Sequence, residues 1–318
     1  MTALSRTALT AAAALALVTA APARACSVCG CGDPLLASND PAAITGGLRL
    51  ALDTEYLRVD AGTDDQPGYT DQLTQWSYRL NAVYRPIEPL SLSVTVPLVD
   101  KSIRTVGSGT SVTDSSLTGL GDVEVAGRYA FWTSVDFGLR RVQELAVSAG
   151  SALPTGRADA KAADGSLVDP HGQLGTGGWG PFAGLHYRHE QGDWMGLASV
   201  SYRLRTEATY FDHSRYKFGD AALWSVHGQY RPTARLALDL GLDGRYAAAD
   251  RAVDADGAVT ARVGNTGGTV LSLAPGIYFN AVGPAWLFVR SQLPVYQHLL
   301  GDQSVKPSYS AGFQYQVF

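Results

Sequence analysis

The sequence predicts an all-β protein: a single closed antiparallel transmembrane β-barrel of about 12 strands, preceded by a short cysteine-containing segment. Three observations lead to this prediction. The chain begins with a secretory signal, and most of the remainder alternates apolar and polar residues with a period of two. The links between the alternating segments are short and long in turn. Together they favour the outer membrane of a Gram-negative bacterium.

The first 25 residues have the parts of a secretory signal peptide. Arg6 supplies the positive start, residues 8–21 form an apolar run, and Ala23-Arg24-Ala25 matches an A-x-A cleavage pattern. The run is shorter than the roughly 18–20 apolar residues that a transmembrane helix needs. We therefore expect residues 1–25 to be removed, which makes Cys26 the first residue of the mature chain.

The amino-acid composition is typical of a transmembrane β-barrel. Charged residues make up 17% of the chain, below the roughly 25% of a soluble globular protein, while Gly (35 residues) and Tyr (15) are abundant. Signal cleavage lowers the Lys and Arg count from 25 to 23 and leaves all 29 Asp and Glu. The mature chain is then mildly acidic and has no basic block, so nucleic acid is an unsuitable partner.

The segment Gln75–Arg85 shows the alternation clearly. Trp76, Tyr78 and Leu80 fall on one face, and Arg79 falls on the other. A water-soluble antiparallel sandwich would also alternate. The aromatic residues near the segment ends and the segment length of about ten residues favour a tilted strand that crosses a bilayer.

Twelve segments of this kind can be assigned. They span residues 47–59, 73–86, 90–100, 120–132, 140–154, 177–189, 194–206, 219–231, 235–247, 268–280, 285–297 and 304–318. Tight links such as 86–89 and 281–284 alternate with long polar ones such as 157–176 and 248–267. Tight turns are typical of the periplasmic side, and an even strand number closes the sheet without an unpaired edge. We expect residues 47–318 to form one barrel and residues 26–46 to form a periplasmic segment or plug.

The strand register follows from the cost of a charge in lipid. A register shift of the second segment by one residue would make Arg79 face lipid near the membrane midplane. This would cost about 2–4 kcal/mol of folding free energy. The charged face must therefore line the lumen. The predicted lumen-lining residues are Asp53, Glu55, Arg79, Glu124, Arg128, Arg203, His227, Asp239, Asp243 and Arg245. Trp286 and Phe288 are also expected to point inward.

Short motifs recur at the ends of the segments. Gly-Asp precedes three of them, and Leu-Pro or Val-Pro ends several others. Turn chemistry alone accounts for any one motif, since Gly and Asp suit tight turns and Pro tolerates a strand end. The rim residues of these motifs are Gly121, Asp122, Pro154, Gly156, Gly219, Asp220, Gly301 and Asp302.

Five motifs in order resemble those of a known family. They are GLGDVEVAGRYAFW (119–132), LPTG (153–156), LGTGGW (174–179), NTGG (265–268) and LPVYQHLLGDQ (293–303). Over roughly residues 45–318 the chain resembles the outer-membrane transporter family of the meta-pathway of phenol degradation. The resemblance implies a barrel and the passage of small, often aromatic molecules. It also implies outer-membrane lipid and the barrel-assembly machinery as partners.

The function that we expect is a channel for a small polar, amphipathic or aromatic solute. A barrel of about 12 strands has a narrower lumen than the 16–18-stranded porins. A barrel lipase is the alternative in the enzyme class, but it needs a nucleophile, a base and an orienting group. His213-Ser214 is the only suggestive pair, and adjacent residues rarely form such a dyad. We predict that the protein is not an enzyme.

All three cysteines of the chain lie in the stretch ACSVCGCGD at residues 25–33. Cys26, Cys29 and Cys31 suit a soft metal such as Cu(I) or Zn(II), although a tetrahedral zinc site needs a fourth ligand. A disulfide with one thiol left over and acylation of Cys26 are the alternatives. A metal- or redox-linked outer-membrane protein is thus the second functional hypothesis.

Overall fold

The computed structural model of the chain describes most of the predicted barrel. The described residues are 47–62, 70–106, 112–161, 165, 167–210, 213–253, 256–260 and 262–317. The predicted signal peptide, the segment 26–46 with its cysteines, and Phe318 lie outside them.

Twelve antiparallel spans form one closed sheet. The uninterrupted spans are β1 (Gly47–Gly62), β2 (Thr70–Ile87), β3 (Leu90–Val106), β6 (Arg141–Ala152), β7 (Gly180–Gln191), β8 (Trp194–Arg203), β11 (Ala221–Thr233), β12 (Leu236–Ala247), β15 (Gly268–Val282) and β16 (Ala285–Leu299). β1 pairs with β2 on one side and with the last span on the other. The sheet therefore has no free edge, and the predicted closed barrel is confirmed.

The other two spans are interrupted. β4 (Val112–Leu120) and β5 (Glu124–Asp136) both pair with β3, and residues 121–123 separate them. β17 (Gln303–Val305) and β18 (Ser308–Gln316) both pair with β1. Pro307 lies in the second break, where its missing N–H could not have donated to the ladder.

The ends of the barrel differ. Five connections of two to four residues (88–89, 137–140, 192–193, 234–235 and 283–284) lie at one end, which we call the short-turn end. The remaining connections lie at the opposite end, the long-loop end. There the strands are longer than the sequence predicts, since β1 reaches Gly62 and β3 reaches Val106. β3 continues as a ribbon because β4 pairs with it from Leu120 back to Val112.

The side chains divide across the barrel wall as an alternating pattern requires. On β2, Trp76, Tyr78 and Leu80 are 41%, 46% and 51% exposed on the outer face. Ser77 and Arg79, at the intervening positions, are 1% and 4% exposed. The outer face is therefore apolar and aromatic, while the inner face of the same strand is polar.

Two long loops, those after β8 and β12, contain short strands that the alternating pattern does not predict. β9 (Ala208–Thr209), β10 (Arg215–Lys217), β13 (Arg251–Val253) and β14 (Val259–Thr260) make up a four-stranded sheet. β10 pairs with β13, which joins the loop after β8 to the loop after β12. In the part of the chain that the structure describes, no helix has the length and apolar character needed to cross a membrane.

Candidate functional site: the barrel interior and its two ends

Arg79 is the centre of an ionic cluster on the inner faces of β1 and β2. Its guanidinium lies 2.6 Å from Asp53 Oδ1 and 2.8 Å from Glu55 Oε2. Asn81 Nδ2 donates to the second Asp53 oxygen at 2.8 Å, and Thr95 Oγ1 donates to Asn81 Oδ1 at 2.6 Å. The buried charge is thus paired on both sides and its partners are held by further hydrogen bonds, as a buried ion pair requires.

A second cluster lies on the opposite part of the wall. His227 on β11 places Nδ1 2.9 Å from Asp239 Oδ2 and Nε2 2.9 Å from Asp243 Oδ1. Gln292 Nε2 donates to the other Asp243 oxygen at 2.9 Å. A Cβ on Gly241 would overlap the His227 ring, so glycine is required beside it.

Two further ion pairs lie on the inner face of the wall. Arg203 on β8 donates to Glu124 on β5, and the Phe182 ring lies 4.8 Å from the Arg203 guanidinium carbon. Arg128 on β5 pairs with Glu144 on β6, which also has Arg85 Nη2 at 3.9 Å. The Arg203–Glu124 and Arg85–Glu144 contacts join strands that are distant in sequence, whereas Arg128 and Glu144 lie on the two strands of one hairpin.

The structure places all ten predicted lumen residues on the inner face. Asp53, Arg79, Glu124, Arg203, His227, Asp239, Asp243 and Arg245 are buried, whereas Glu55 and Arg128 are partly buried. Sequence reasoning missed Glu144 and Gln292, which complete two of the clusters. The sequence pattern could have identified both, because Glu144 and Gln292 occupy the positions of their strands that alternate with the apolar outward-facing residues.

A belt of buried apolar side chains lines the interior toward the long-loop end. Its buried members are Leu57, Val59, Leu73, Ile103, Phe182, Ala221, Leu223, Ala247, Val270 and Val305. They come from eight of the spans, so the belt runs around most of the barrel. Two arginines lie at the same height as the belt, because Arg203 is in register with Phe182 and Arg245 is in register with Leu223.

The loop after β6 folds over this belt. Gln173 is fully buried, and its amide group binds Ala160 N, Ala160 O and Val168 O at 2.8–3.1 Å. Lys101 on β3 donates to the carbonyl oxygens of Gln173 at 2.6 Å and His171 at 3.2 Å. These bonds hold the loop, which we call the loop cover (residues 153–179), onto the barrel wall.

Asp250 joins the loop cover to two other loops. Its Oδ2 accepts from Tyr216 OH at 2.6 Å and lies 2.8 Å from His171 Nε2, while its Oδ1 accepts from Gly219 N at 2.7 Å. Burial and the Asp250 carboxylate raise the pKa of Tyr216 well above its usual value. We call Asp250, His171 and Tyr216 the loop latch.

The predicted Gly-Asp rim residues form hydrogen bonds with loop residues at the long-loop end. Asp122 accepts from Gly156 N at 3.0 Å and from the Thr176 N and Oγ1 at 2.8 and 2.7 Å. Gly121 N donates to the Pro97 carbonyl at 2.9 Å, which carries the strand pairing across the break between β4 and β5.

The other two Gly-Asp pairs also make hydrogen bonds at this end: Asp220 through its side chain within its own loop, and Asp302 through its backbone to two neighbouring segments. Asp220 Oδ1 accepts from Arg205 N at 2.8 Å and from Lys217 Nζ at 2.9 Å. Asp302 N donates to Asn265 Oδ1 at 2.7 Å, and its carbonyl accepts from Gly62 N at 2.6 Å. Gly301 has a φ of +79°, which favours glycine. Pro154 is exposed at the start of the loop cover and makes no comparable contact among the described residues.

The candidate enzymatic pair forms a turn. His213 has a φ of +66°, and Tyr210 N donates to the Ser214 carbonyl at 2.9 Å. No cluster of three or more His, Cys, Asp or Glu side chains that could hold a metal ion occurs among the described residues. The three cysteines lie outside that part of the chain.

The chain matches no known protein-family model, and no curated protein matches it in sequence. Solved structures do share its architecture. An outer membrane channel from Pseudomonas putida F1 is 13% identical with a TM-score of 0.63, covering 87% of this chain and 98% of the channel. The transport unit of the autotransporter AIDA-I from Escherichia coli is 10% identical with a TM-score of 0.50, covering 87% and 92%.

These similarities establish the fold alone, because two proteins with different stated roles share it. The β-barrel part of the family resemblance is supported. Membership of the phenol meta-pathway family stays a prediction.

Proposed function

We propose that the protein is an outer-membrane channel for small solutes, with its short-turn end toward the periplasm. The observation that carries this proposal is the division of side chains across the wall. The outer face is apolar and aromatic, whereas the inner face holds buried ionic clusters. Such a wall is stable when hydrocarbon lies outside and a polar interior lies inside. Outer-membrane lipid and the barrel-assembly machinery are then its partners.

The interior favours small polar or amphipathic solutes over large ones. The Arg79 and His227 clusters lie nearer the short-turn end than the apolar belt, and the loop cover folds over that belt. Solutes must pass groups of both signs, so a polar group is accommodated and a purely apolar solute gains little. Aromatic solutes, which the family resemblance implies, fit if they also carry a polar group.

Planar bilayers test the proposal directly. The refolded mature protein should produce discrete, small conductance steps, and liposomes that contain it should swell in small amphipathic solutes faster than in disaccharides. A protein-free refolding mixture, identical in detergent, is the control. Folded protein that inserts into the bilayer yet passes neither ions nor any small solute would refute the channel function.

A further inference from the structure

A cavity of about 850 Å³ opens at the short-turn end of the barrel. None of the ten predicted lumen residues lines it, so it is separate from the ionic clusters described above. Its volume lies in the range of small-molecule sites, roughly 300–1,000 Å³. The turns at residues 137–140, 192–193 and 283–284 contribute to its mouth.

One part of the lining is cationic. Five arginines line the cavity: Arg49, Arg140, Arg141, Arg188 and Arg231. Only two carboxylates, those of Asp136 and Glu190, accompany them. The lining therefore has three more positive than negative charges.

Glu190 is shared between two of these arginines. Arg188 donates to its Oε2, and Arg231 Nη1 lies 3.3 Å from its Oε1. The side chains of Arg188 and Arg231 are 21% and 33% exposed, and both line the cavity. Arg231 also donates to Gln229 Oε1 at 3.4 Å and contacts Met195 Sδ at 3.8 Å, whereas Arg188 Nε is buried without a hydrogen-bond partner among the described residues. A guanidinium offers five N–H donors, so donors of this pair are left for a further anion.

The lining also holds aromatic side chains on the part of the wall that lies away from Arg141 and Arg188. Trp286 on β16 and Tyr278 on β15 line the cavity, and Phe288 stacks on Tyr278 at 5.7 Å between ring centroids. Around the ring of twelve spans, β16 is six steps from β6 and five from β7, which bear Arg141 and Arg188. Trp286 therefore lies across the barrel from Arg141 and Arg188, while Arg231 on β11 and Arg49 on β1 are three and two strands away from it.

We propose that this cavity binds a small aromatic carboxylate. Arginine pairs bidentately with a carboxylate, and aromatic walls stack on a planar ring. A ligand with one anionic end and one aromatic end satisfies both walls at once. The proposal deepens the channel function, because it names the solute class that gathers at the periplasmic mouth, and it rests on that function for its biological role.

Calorimetric titration of the full mature protein in detergent tests binding without any need for conductance. The probes are benzoate, cyclohexanecarboxylate, which keeps the charge without the aromatic ring, and benzamide, which keeps the ring without the charge. Benzoate should bind saturably at one site per chain and at least about fivefold more tightly than either analogue. Equal affinity for benzoate and cyclohexanecarboxylate, or for benzoate and benzamide, would overturn the proposal.

Three variants locate the site. Arg188→Gln with Arg231→Gln should weaken benzoate binding by about tenfold or more, because the charged donors are lost. Trp286→Leu should reduce the preference for benzoate over cyclohexanecarboxylate. Arg157→Gln and Trp132→Leu are the matched controls, since Arg157 is exposed in the loop cover and Trp132 is exposed outside the cavity.

Glu190→Gln supplies a test in the opposite direction that does not depend on a loss of folding. It frees both arginines from their shared carboxylate, so benzoate should bind several-fold more tightly. Unchanged or weaker binding in this variant would overturn the proposal. Conductance without selective benzoate binding would refute the site and leave the channel intact, whereas selective binding without conductance would refute only the channel.

Discussion

His171 and Asp250 are 79 residues apart in the chain, yet His171 Nε2 lies 2.8 Å from Asp250 Oδ2. This contact connects the loop cover with the loop after β12 across the long-loop end. Tyr216 completes the latch by donating to the same oxygen at 2.6 Å. Both His171 and Asp250 are buried, so water cannot replace either partner without opening the loops.

Asp250→Ala should open the loop latch. The substitution leaves Gly219 N, Tyr216 OH and His171 without their shared acceptor, and each buried group costs about 1–3 kcal/mol. Opening of the cover should then become about 100-fold more frequent or greater, since 1.4 kcal/mol is a factor of ten. Limited proteolysis under native conditions, with the cleavage in residues 157–176 followed by mass spectrometry, measures this rate.

Asp159→Ala is the matched control for the latch. Asp159 belongs to the same loop cover, but its side chain is 70% exposed and forms an ion pair with Arg157, which is itself exposed. It should leave the cleavage rate within about twofold of the wild type. Equal cleavage rates in the two variants would show that Asp250 does not hold the cover.

The latch should also open at alkaline pH. Burial and the neighbouring Asp250 carboxylate raise the pKa of Tyr216 well above its unfolded value of about 10. Because the folded state holds this proton more tightly, the stabilisation is complete below about pH 10 and is lost as the pH rises from there through the folded pKa. Proteolysis of the cover, measured from pH 8 to 11.5, should accelerate above about pH 10.

Tyr216→Phe separates this effect from general alkaline unfolding. It removes the hydroxyl contacts to Asp250 Oδ2 and His171 Nε2, so the cover should be weakened by about 1–2 kcal/mol at neutral pH. The variant should also lose the steep acceleration of proteolysis above about pH 10. Tyr309→Phe is the control, because Tyr309 is exposed on the outer face. A Tyr216→Phe profile with the same alkaline rise as the wild type would contradict the assignment to Tyr216.

The sequence was sufficient to predict the spans and their faces because both depend on local alternation. Arg79 and Leu80 are adjacent in the strand, so their side chains must point to opposite faces, and the alternating pattern alone assigns Arg79 to the inside and Leu80 to the outside. The latch could not be predicted in this way. Asp250 and His171 lie in polar loops where aspartate and histidine are ordinarily solvated, and their contact depends on how three loops fold over one another. The pairing of β10 with β13 went unrecognised for the same reason.

The cavity at the short-turn end illustrates a second limit. Trp286 was expected to face inward from its parity, and the structure places it in the cavity lining. The arginines that share the cavity with it come from β1, β6, β7, β11 and the link before β6. Their meeting depends on the closure of the barrel and the stagger of its strands, which a one-dimensional pattern does not contain.

Metal binding by the N-terminal cysteines stays a prediction, because Cys26, Cys29 and Cys31 lie outside the described residues. We expect the reduced mature protein to bind one Cu(I) per chain, since clustered thiolates suit soft metals. Metal analysis after reduction and desalting measures this, with intact mass spectrometry of the N-terminus to report cleavage, acylation and disulfide formation. A Cys29→Ser and Cys31→Ser double variant that retains the wild-type copper content would refute the metal site.

Leu80→Arg tests the outward direction of the apolar face. Leu80 is 51% exposed on the outer wall, and arginine at a lipid-facing position near the midplane costs about 2–4 kcal/mol. The free energy of unfolding, measured by denaturant titration in phospholipid vesicles, should fall by about this amount relative to Leu80→Ala. Equal stability of the two variants would place this position in water and remove the basis of the membrane orientation.

Leu223→Ser tests whether the apolar belt limits conduction. Leu223 is 2% exposed within the belt, and an apolar constriction excludes water and ions when it is narrow. Serine is smaller and polar, so single-channel conductance should rise, by about twofold or more if the belt is the main resistance. Leu240→Ser, on the outer wall, is the matched control because it makes the same chemical change at an exposed position. If Leu223→Ser leaves conductance unchanged while Asp250→Ala raises it, the loop cover rather than the belt sets the resistance of the channel.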